Sequence, residues 1–226
     1  VLEKLLKYFD DPKVGAVAGA VITPGEEQSG GTNKIVDILD TPNMQWGRGT
    51  EVKEVEHLYS SFVYRAGLVH YPLALSPVAH REESIFSHEL YRAGYKLIVD
   101  NSIVTWHYRS SSGGIRSHQD IGFYAYDEQM FAIKMAEWGY KLINLNSGIG
   151  DHYAFLNILP KLKEMYGDKL LVGCCYPEVF KDQGIRLTSI AAIEKLATEN
   201  IYEFMDKRKW VGQLKDAYAE MYSVKL

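Results

Sequence analysis

Leu2, Leu5, Leu6 and Phe9 recur at the spacing of one helix face, and Asp11-Pro12 closes that helix. The run VGAVAGAVI (14–22) is apolar and contains glycine, which predicts a buried strand; the polar, Gly-rich PGEEQSGGTNK after it predicts a loop. Between 35 and 49 the pattern is weak and allows only a short helix ending near Pro42. SSFVYRAGLVHY (60–71) predicts a strand or turn leading into a second apolar segment. Ile85, Phe86, Leu90 and Ala93 then form the apolar stripe of a helix that Gly94 closes. Ile98-Val99 and Ile103–Trp106 supply strand material on either side of Asp100-Asn101. The tract SSSGGIRSHQD (110–120) is polar and Gly/Ser-rich, the composition of a flexible segment.

Further on, Phe131, Met135 and Trp138 mark the inner face of a helix over 124–138, capped by Gly139. Residues 141–177 follow a different order: a strand at 141–145, a Gly-rich turn, a helix over 153–165 and a second strand. GIRLTSI (184–190) predicts a third strand, and the stretch from Ala191 to Tyr222 predicts two helices broken near Trp210–Gly212. Strands alternate with helices throughout, so the class is α/β, with a boundary near residue 140 that separates 1–139 from 140–226.

The 226 residues suffice for one large or two small domains. Lys plus Arg number 25 against 29 Asp plus Glu, a net charge of -4, which argues against a nucleic acid as main partner. Sixteen tyrosines make the chain aromatic-rich; Tyr suits polar grooves such as sugar sites and half-buried sheet faces alike. The two cysteines, Cys174 and Cys175, are adjacent in an apolar run and form neither a disulfide framework nor a metal-binding spacing, which fits a reducing, cytoplasmic setting. Both are expected in a buried strand as small apolar residues. No apolar stretch approaches the roughly 20 residues of a membrane span, and the opening VLEKLLKYFDD is an amphipathic helix rather than a signal peptide.

Two carboxylates, Glu82 and Glu83, stand where a loop enters the helix at 85–93. Acidic residues favour a helix N-terminus electrostatically. The alternative is chemical: one carboxylate, mounted on a fixed helix start, takes a proton from a hydroxyl in a cleft. His80, Arg81 and Arg109 nearby would meet phosphate or acceptor charge, or solvent.

The segment LALSPVAHREESIFSHELYRAGYKLIVDNSIVTWHYR resembles the acceptor-side half of a family 2 glycosyltransferase of the GT-A fold. The likeness rests on the acidic pair, the helix ending at Gly94, and the strand ending at His107. LEKLLKYFDDPKVGAVAGAVITPGE resembles the stretch C-terminal to the metal-binding Asp-x-Asp motif in that family. The resemblance implies a metal-dependent enzyme of glycan or polysaccharide biosynthesis that transfers a sugar from a nucleotide-sugar donor to an acceptor hydroxyl, with a divalent metal (Mn or Mg). It implies that Glu83 is the base, that Glu82 supports it or contacts the acceptor, and that His107 helps hold the metal; taken by itself, His107 reads equally as a strand-end histidine bonded to backbone. In the polar tract, backbone N–H groups and Arg116 or His118 would meet donor phosphates on loop closure, or the tract is a plain linker. The Asp-x-Asp is expected upstream of Val1, so an upstream GT-A half belongs to the intact protein and the chain alone is expected to be inactive.

The second constellation is Gly148-Ile149-Gly150-Asp151-His152, at a strand–helix turn. Glycines there let backbone N–H groups approach a ligand at a helix N-terminus, while the third glycine of a dinucleotide fingerprint is replaced by Tyr153, which disfavours a Rossmann oxidoreductase. Asp151 reads either as the helix N-cap or as a functional carboxylate. The segment 147–180 resembles the first Rossmann-like unit of heptosyltransferase-type GT-B glycosyltransferases, which implies that Asp151 is an acceptor-side base. The expectation is therefore a partial GT-A-like mixed sheet with helices, followed by a small Rossmann-like α/β unit, in a cytoplasmic or membrane-peripheral protein. The competing expectation is a non-catalytic carbohydrate or nucleotide-sugar binding module.

Overall fold

A computed structural model describes residues 1–22, 24–25, 50–58, 61–106, 108, 121–188, 190–197 and 199–226. The short helix expected near Pro42, His107 and the tract 110–120 with Arg116, as well as Arg109, lie outside these residues. The chain divides into two compact units, Val1–Asp127 and Glu128–Leu226, and the class is mixed α/β, as the alternation of patterns predicts.

In the first unit, helix α1 (Leu2–Leu6) runs on as a single 3-10 turn to Asp10 and delivers the chain to β1 (Val14–Ile22), buried along its whole length. β2 (Val52–Val55), β3 (Phe62–Tyr64), α2 (Glu82–Arg92) and β4 (Lys96–Trp106) complete it, together with the start of α3 (Ile121–Glu137). The sheet order is β2-β4-β1-β3, with β1 and β4 parallel and both edges antiparallel. Alternation from Ala16 onward, together with a register shift between Val14 and Ala16, sets the two layers. Ala16 and Ala18 join Phe86 and Leu90 of α2, whereas Val14 and Val17 join Leu5. Small residues on the α2 side let the helix approach closely; a Cβ on Gly15 would come within 2.7 Å of the Tyr95 Cβ.

The sequence predicts two strands around Asp100-Asn101, but the structure has one eleven-residue strand with an irregularity inside it. Gly19 pairs with Asp100 and the next residue, Ala20, with Val104. Residues 101–103 are thus looped out of register, and Gly19 is what permits it, because a Cβ there would sit 2.1 Å from the Ile103 carbonyl oxygen. Among the described residues of 60–71, only Phe62–Tyr64 is strand, and β2 has no forecast in the pattern.

The second unit carries a three-stranded parallel sheet of β5 (Lys141–Leu145), β6 (Leu170–Cys174) and β7 (Arg186–Thr188), in that order. The helix expected over 153–165 is two helices, α4 (Ile149–Leu156) and α5 (Leu159–Tyr166). Pro160, in the first turn of α5, is the physical reason: it has no N–H to give to residue 156, and its ring crowds that carbonyl. Likewise the described residues of the C-terminal stretch hold three helices rather than two, α6 (Ile190–Ile193), α7 (Ile201–Lys207) and α8 (Leu214–Met221). Asn200 starts α7 by accepting from the N–H groups of Tyr202 and Glu203. Phe155, Ile158 and Leu162 pack with Ala217 and Tyr218 over Ile143 and Val172 to form the core. β6 ends at Cys174, so only that cysteine is buried; Cys175 is exposed and its thiol donates to Asn146 Oδ1 (3.2 Å). Burial, then Cys175 and Glu178, push the Cys174 thiol up to about 11, so it is inert as a nucleophile near neutrality. Among the described residues no helix is long and apolar enough to cross a membrane.

Candidate functional site

The acidic pair opens α2 as the sequence predicts, with both Glu82 and Glu83 half-buried in its first turn. The loop that delivers the pair is conformationally costly. Ala79 (φ 49°) and Arg81 (φ 74°) are both in the left-handed region, at roughly 1–2 kcal/mol for each non-glycine residue. Arg81, the N-cap, is 2% exposed.

What holds the loop is Asp127, a fully buried carboxylate on α3. Its Oδ1 accepts from the Ser76 N–H (2.6 Å), and its Oδ2 from the Ser76 hydroxyl (2.8 Å) and the His80 N–H (2.8 Å). The Ser76 carbonyl in turn accepts from the Ala79 N–H (2.9 Å), and the Ala79 carbonyl from the Glu82 N–H (3.2 Å). A chain of hydrogen bonds therefore runs from Asp127 to the first residue of the pair. Two tyrosines of α3 add to the hold: Tyr126 donates to the Ala74 carbonyl (3.0 Å), and the Tyr124 ring lies 5.2 Å from that of His80.

Beside the pair stands an aromatic cluster. Tyr71 stacks on Phe86 with centroids 4.0 Å apart and planes 9° from parallel, while Tyr64 meets Phe86 edge-on at 4.8 Å. Burial, then Tyr64, then the charges of Glu82 and Glu83 push the Tyr71 hydroxyl up to about 12. The sequence offers no signal for Asp127, which sits in an ordinary helical pattern, and Tyr71 shows only as one of many tyrosines.

A separate cleft of about 410 Å³ in the same unit is lined by Lys4, Lys7, Tyr8, Asp100, Ser102 and Ile103. Asp100 accepts from the Tyr8 hydroxyl (2.7 Å), the Ser102 hydroxyl (2.6 Å) and the Ser102 N–H (2.9 Å). Among the described residues, none of the candidate catalytic or binding residues lines this cleft.

In the second unit Gly148 and Gly150 are exposed at the carboxyl end of β5, where α4 begins. Neither has a positive φ. The N-cap of α4 is Gly148 rather than Asp151, which occupies the third helical position. Asp151 is 5% exposed and accepts from the Tyr202 hydroxyl of α7 (2.7 Å), which raises the Tyr202 pKa. His152 Nδ1–H donates to the Gly148 carbonyl (3.0 Å), fixing the turn from within. The structure thus unites Arg81, Glu82, Glu83 and His80 in one loop–helix junction of the first unit, and Gly148, Gly150 and Asp151 in one turn of the second. Among the described residues no group of three or more His, Cys, Asp or Glu side chains is placed to hold a metal ion.

Comparison with known proteins adds no neighbour: no family model, no curated protein and no solved structure matches this chain.

Proposed function

We propose that the chain is the acceptor-side part of a nucleotide-sugar-dependent glycosyltransferase, with Glu83 as the base. The observation that carries this reading is the mounting of the acidic pair: a helix start fed by two left-handed residues and pinned by a buried carboxylate. Backbone cost of this kind persists where surrounding structure over-determines it, and it clusters at functional sites. In the step we assign, the acceptor hydroxyl gives its proton to the Glu83 carboxylate. Its oxygen forms the new bond to the anomeric carbon of the donor sugar, and the nucleoside diphosphate leaves with the electron pair of the broken bond. A single base on one side of the sugar favours inversion at that carbon. A divalent cation, where bound, would neutralise the leaving diphosphate; His107 is the residue we assign to it.

On this reading the mixed sheet β2-β4-β1-β3 corresponds to the acceptor half of a GT-A domain, and the parallel sheet of the second unit to a Rossmann-like unit. Asp151, engaged by Tyr202, holds α7 against α4 in this assignment rather than taking a proton. The test is Glu83→Gln in the full-length protein, assayed for sugar transfer and, separately, for donor binding by calorimetry. Loss of transfer by about 10² or more, the lower range for removing a general base, with donor affinity kept, is expected. Transfer at the wild-type rate overturns the assignment, and saccharide binding without any transfer by the wild type makes the protein a binding module instead.

A further inference from the structure

The cluster beside the acidic pair has a chemistry of its own. Phe86 is buried at 2% exposure and lies under Tyr71, whereas Tyr71 and Tyr64 are 38% and 39% exposed. With one ring face against Phe86, the exposure of Tyr71 falls on what the stack leaves uncovered. Tyr64 meets the Tyr71 ring at 75° with centroids 6.2 Å apart, which fixes it from the side. Phe62 lies against Phe86 in turn, at 6.1 Å. The ring is therefore held by three aromatic neighbours, directly or through Phe86, and loses little freedom when something lies on it.

The position of the carboxylates relative to this ring is set by the helix. Phe86 is four residues after Glu82 and three after Glu83, so all three share one face of α2. The partly exposed Tyr71 ring thus lies near two carboxylates, whose charges bear on its hydroxyl. A pyranoside with equatorial hydroxyls is built to match: its axial C–H bonds make an apolar face, and its hydroxyls project from the rim as donors. Neither half of the arrangement suffices alone, since an aromatic face without acceptors would take any apolar group, and acceptors without the face would take any donor.

We propose that Tyr71, seated on Phe86 beside Glu82 and Glu83, is a stacking platform for a pyranoside whose C–H bonds line one ring face. The inference rests on the proposed function only in taking this sugar as the acceptor; the platform itself requires no transfer. It selects for configuration, because an axial hydroxyl on the stacked face would be pressed against the Tyr71 ring and lose its water.

The probe is methyl β-D-glucopyranoside, followed by saturation-transfer NMR on the full chain, with tetramethylammonium chloride as a second ligand. The platform predicts transfer concentrated on the C–H protons of one sugar face. Tyr71→Phe keeps the ring and is expected to bind within about twofold, whereas Tyr71→Ala weakens binding by about tenfold, the scale of one aromatic contact. Should Tyr71→Ala fail to fold, as its amide spectrum would reveal, Tyr71→Leu supplies an apolar side chain without a ring and is expected to show the same loss. Absence of saturation transfer to the glycoside overturns the proposal. So does binding unchanged in Tyr71→Ala or Tyr71→Leu. Tetramethylammonium binding without glycoside binding also overturns it, and would mark the cluster as a cation cage. Tyr71-dependent glycoside binding without Glu83-dependent transfer leaves the platform standing and removes the glycosyltransferase; transfer that ignores Tyr71 does the reverse.

Discussion

Replacing Asp127 with asparagine changes one atom of the clamp and should loosen the loop that carries the acidic pair. The carboxylate accepts three hydrogen bonds, two of them from backbone N–H groups of Ser76 and His80. An asparagine amide can place its oxygen at only one of the two positions. With the NH₂ at the Oδ1 position, two donors face each other across the 2.6 Å that now separates Oδ1 from the Ser76 nitrogen. With the NH₂ at the Oδ2 position, the His80 N–H loses its acceptor instead. One lost acceptor costs about 1–3 kcal/mol, and each surviving bond falls from charge-assisted to neutral, a further ~1 kcal/mol. The sum, at least about 3 kcal/mol, is comparable to the roughly 2–4 kcal/mol that the two left-handed residues Ala79 and Arg81 cost together, so the weakened clamp no longer outweighs that cost. Since 1.4 kcal/mol is tenfold, native-state hydrogen exchange at the Ser76 and His80 amides should accelerate by about two decades in Asp127→Asn, while amides of β1 stay protected. Exchange at both sites within about threefold of wild type would refute the clamp, because opening of less than ~1 kcal/mol does not fit the loss of a buried charged acceptor.

Other expectations rest on single contacts. Gly19→Ala should destabilise the first unit by about 3 kcal/mol, because its Cβ would meet the Ile103 carbonyl oxygen at 2.1 Å; Gly150→Ala, with nothing within 4 Å, should be neutral or stabilise α4 by up to about 1 kcal/mol, and urea unfolding separates the two. Tyr202→Phe leaves the buried Asp151 carboxylate without that donor and should cost about 1–3 kcal/mol in the same assay. Burial works against the Asp100 charge, but the Ser102 and Tyr8 hydrogen bonds outweigh it and the pKa is lowered. Its folded pKa thus lies below the unfolded value of about 3.9. Its contribution is present above that value and lost as pH falls through the lowered one, so Asp100→Asn should flatten the acid limb of the stability–pH curve; an unchanged limb would refute it.

Much of the fold is legible because the buried positions obey one period. β1 is apolar at every position, and α2 carries Phe86 and Leu90 four apart, so each announces itself. The irregular strand is hidden for the opposite reason: Asp100-Asn101 reads as a turn, and only the partner strand with Gly19 turns that break into a bulge. The division of α4 from α5 is available in Pro160, whose missing N–H outweighs the apolar periodicity that runs across it. At the candidate site the acidic pair is readable as a helix start. Asp127 is not, because its three partners lie 47 to 51 residues away and nothing local distinguishes a buried acid from a solvated one. The aromatic cluster is concealed in the same way, since β3, the segment near Tyr71 and α2 meet only in three dimensions.

The contact boundary between the units falls after Asp127, inside α3, so one unbroken helix belongs partly to each. A nick or a gene split at that point would sever the helix at the residue that anchors the loop before the acidic pair. Fragment exchange between proteins generally succeeds in linkers where few contacts cross. Here the seam lies in the middle of a hydrogen-bonded rod, and the first unit can be transplanted with its site intact only if α3 travels with it through Glu137. The two units are separable by contacts and yet share one helix.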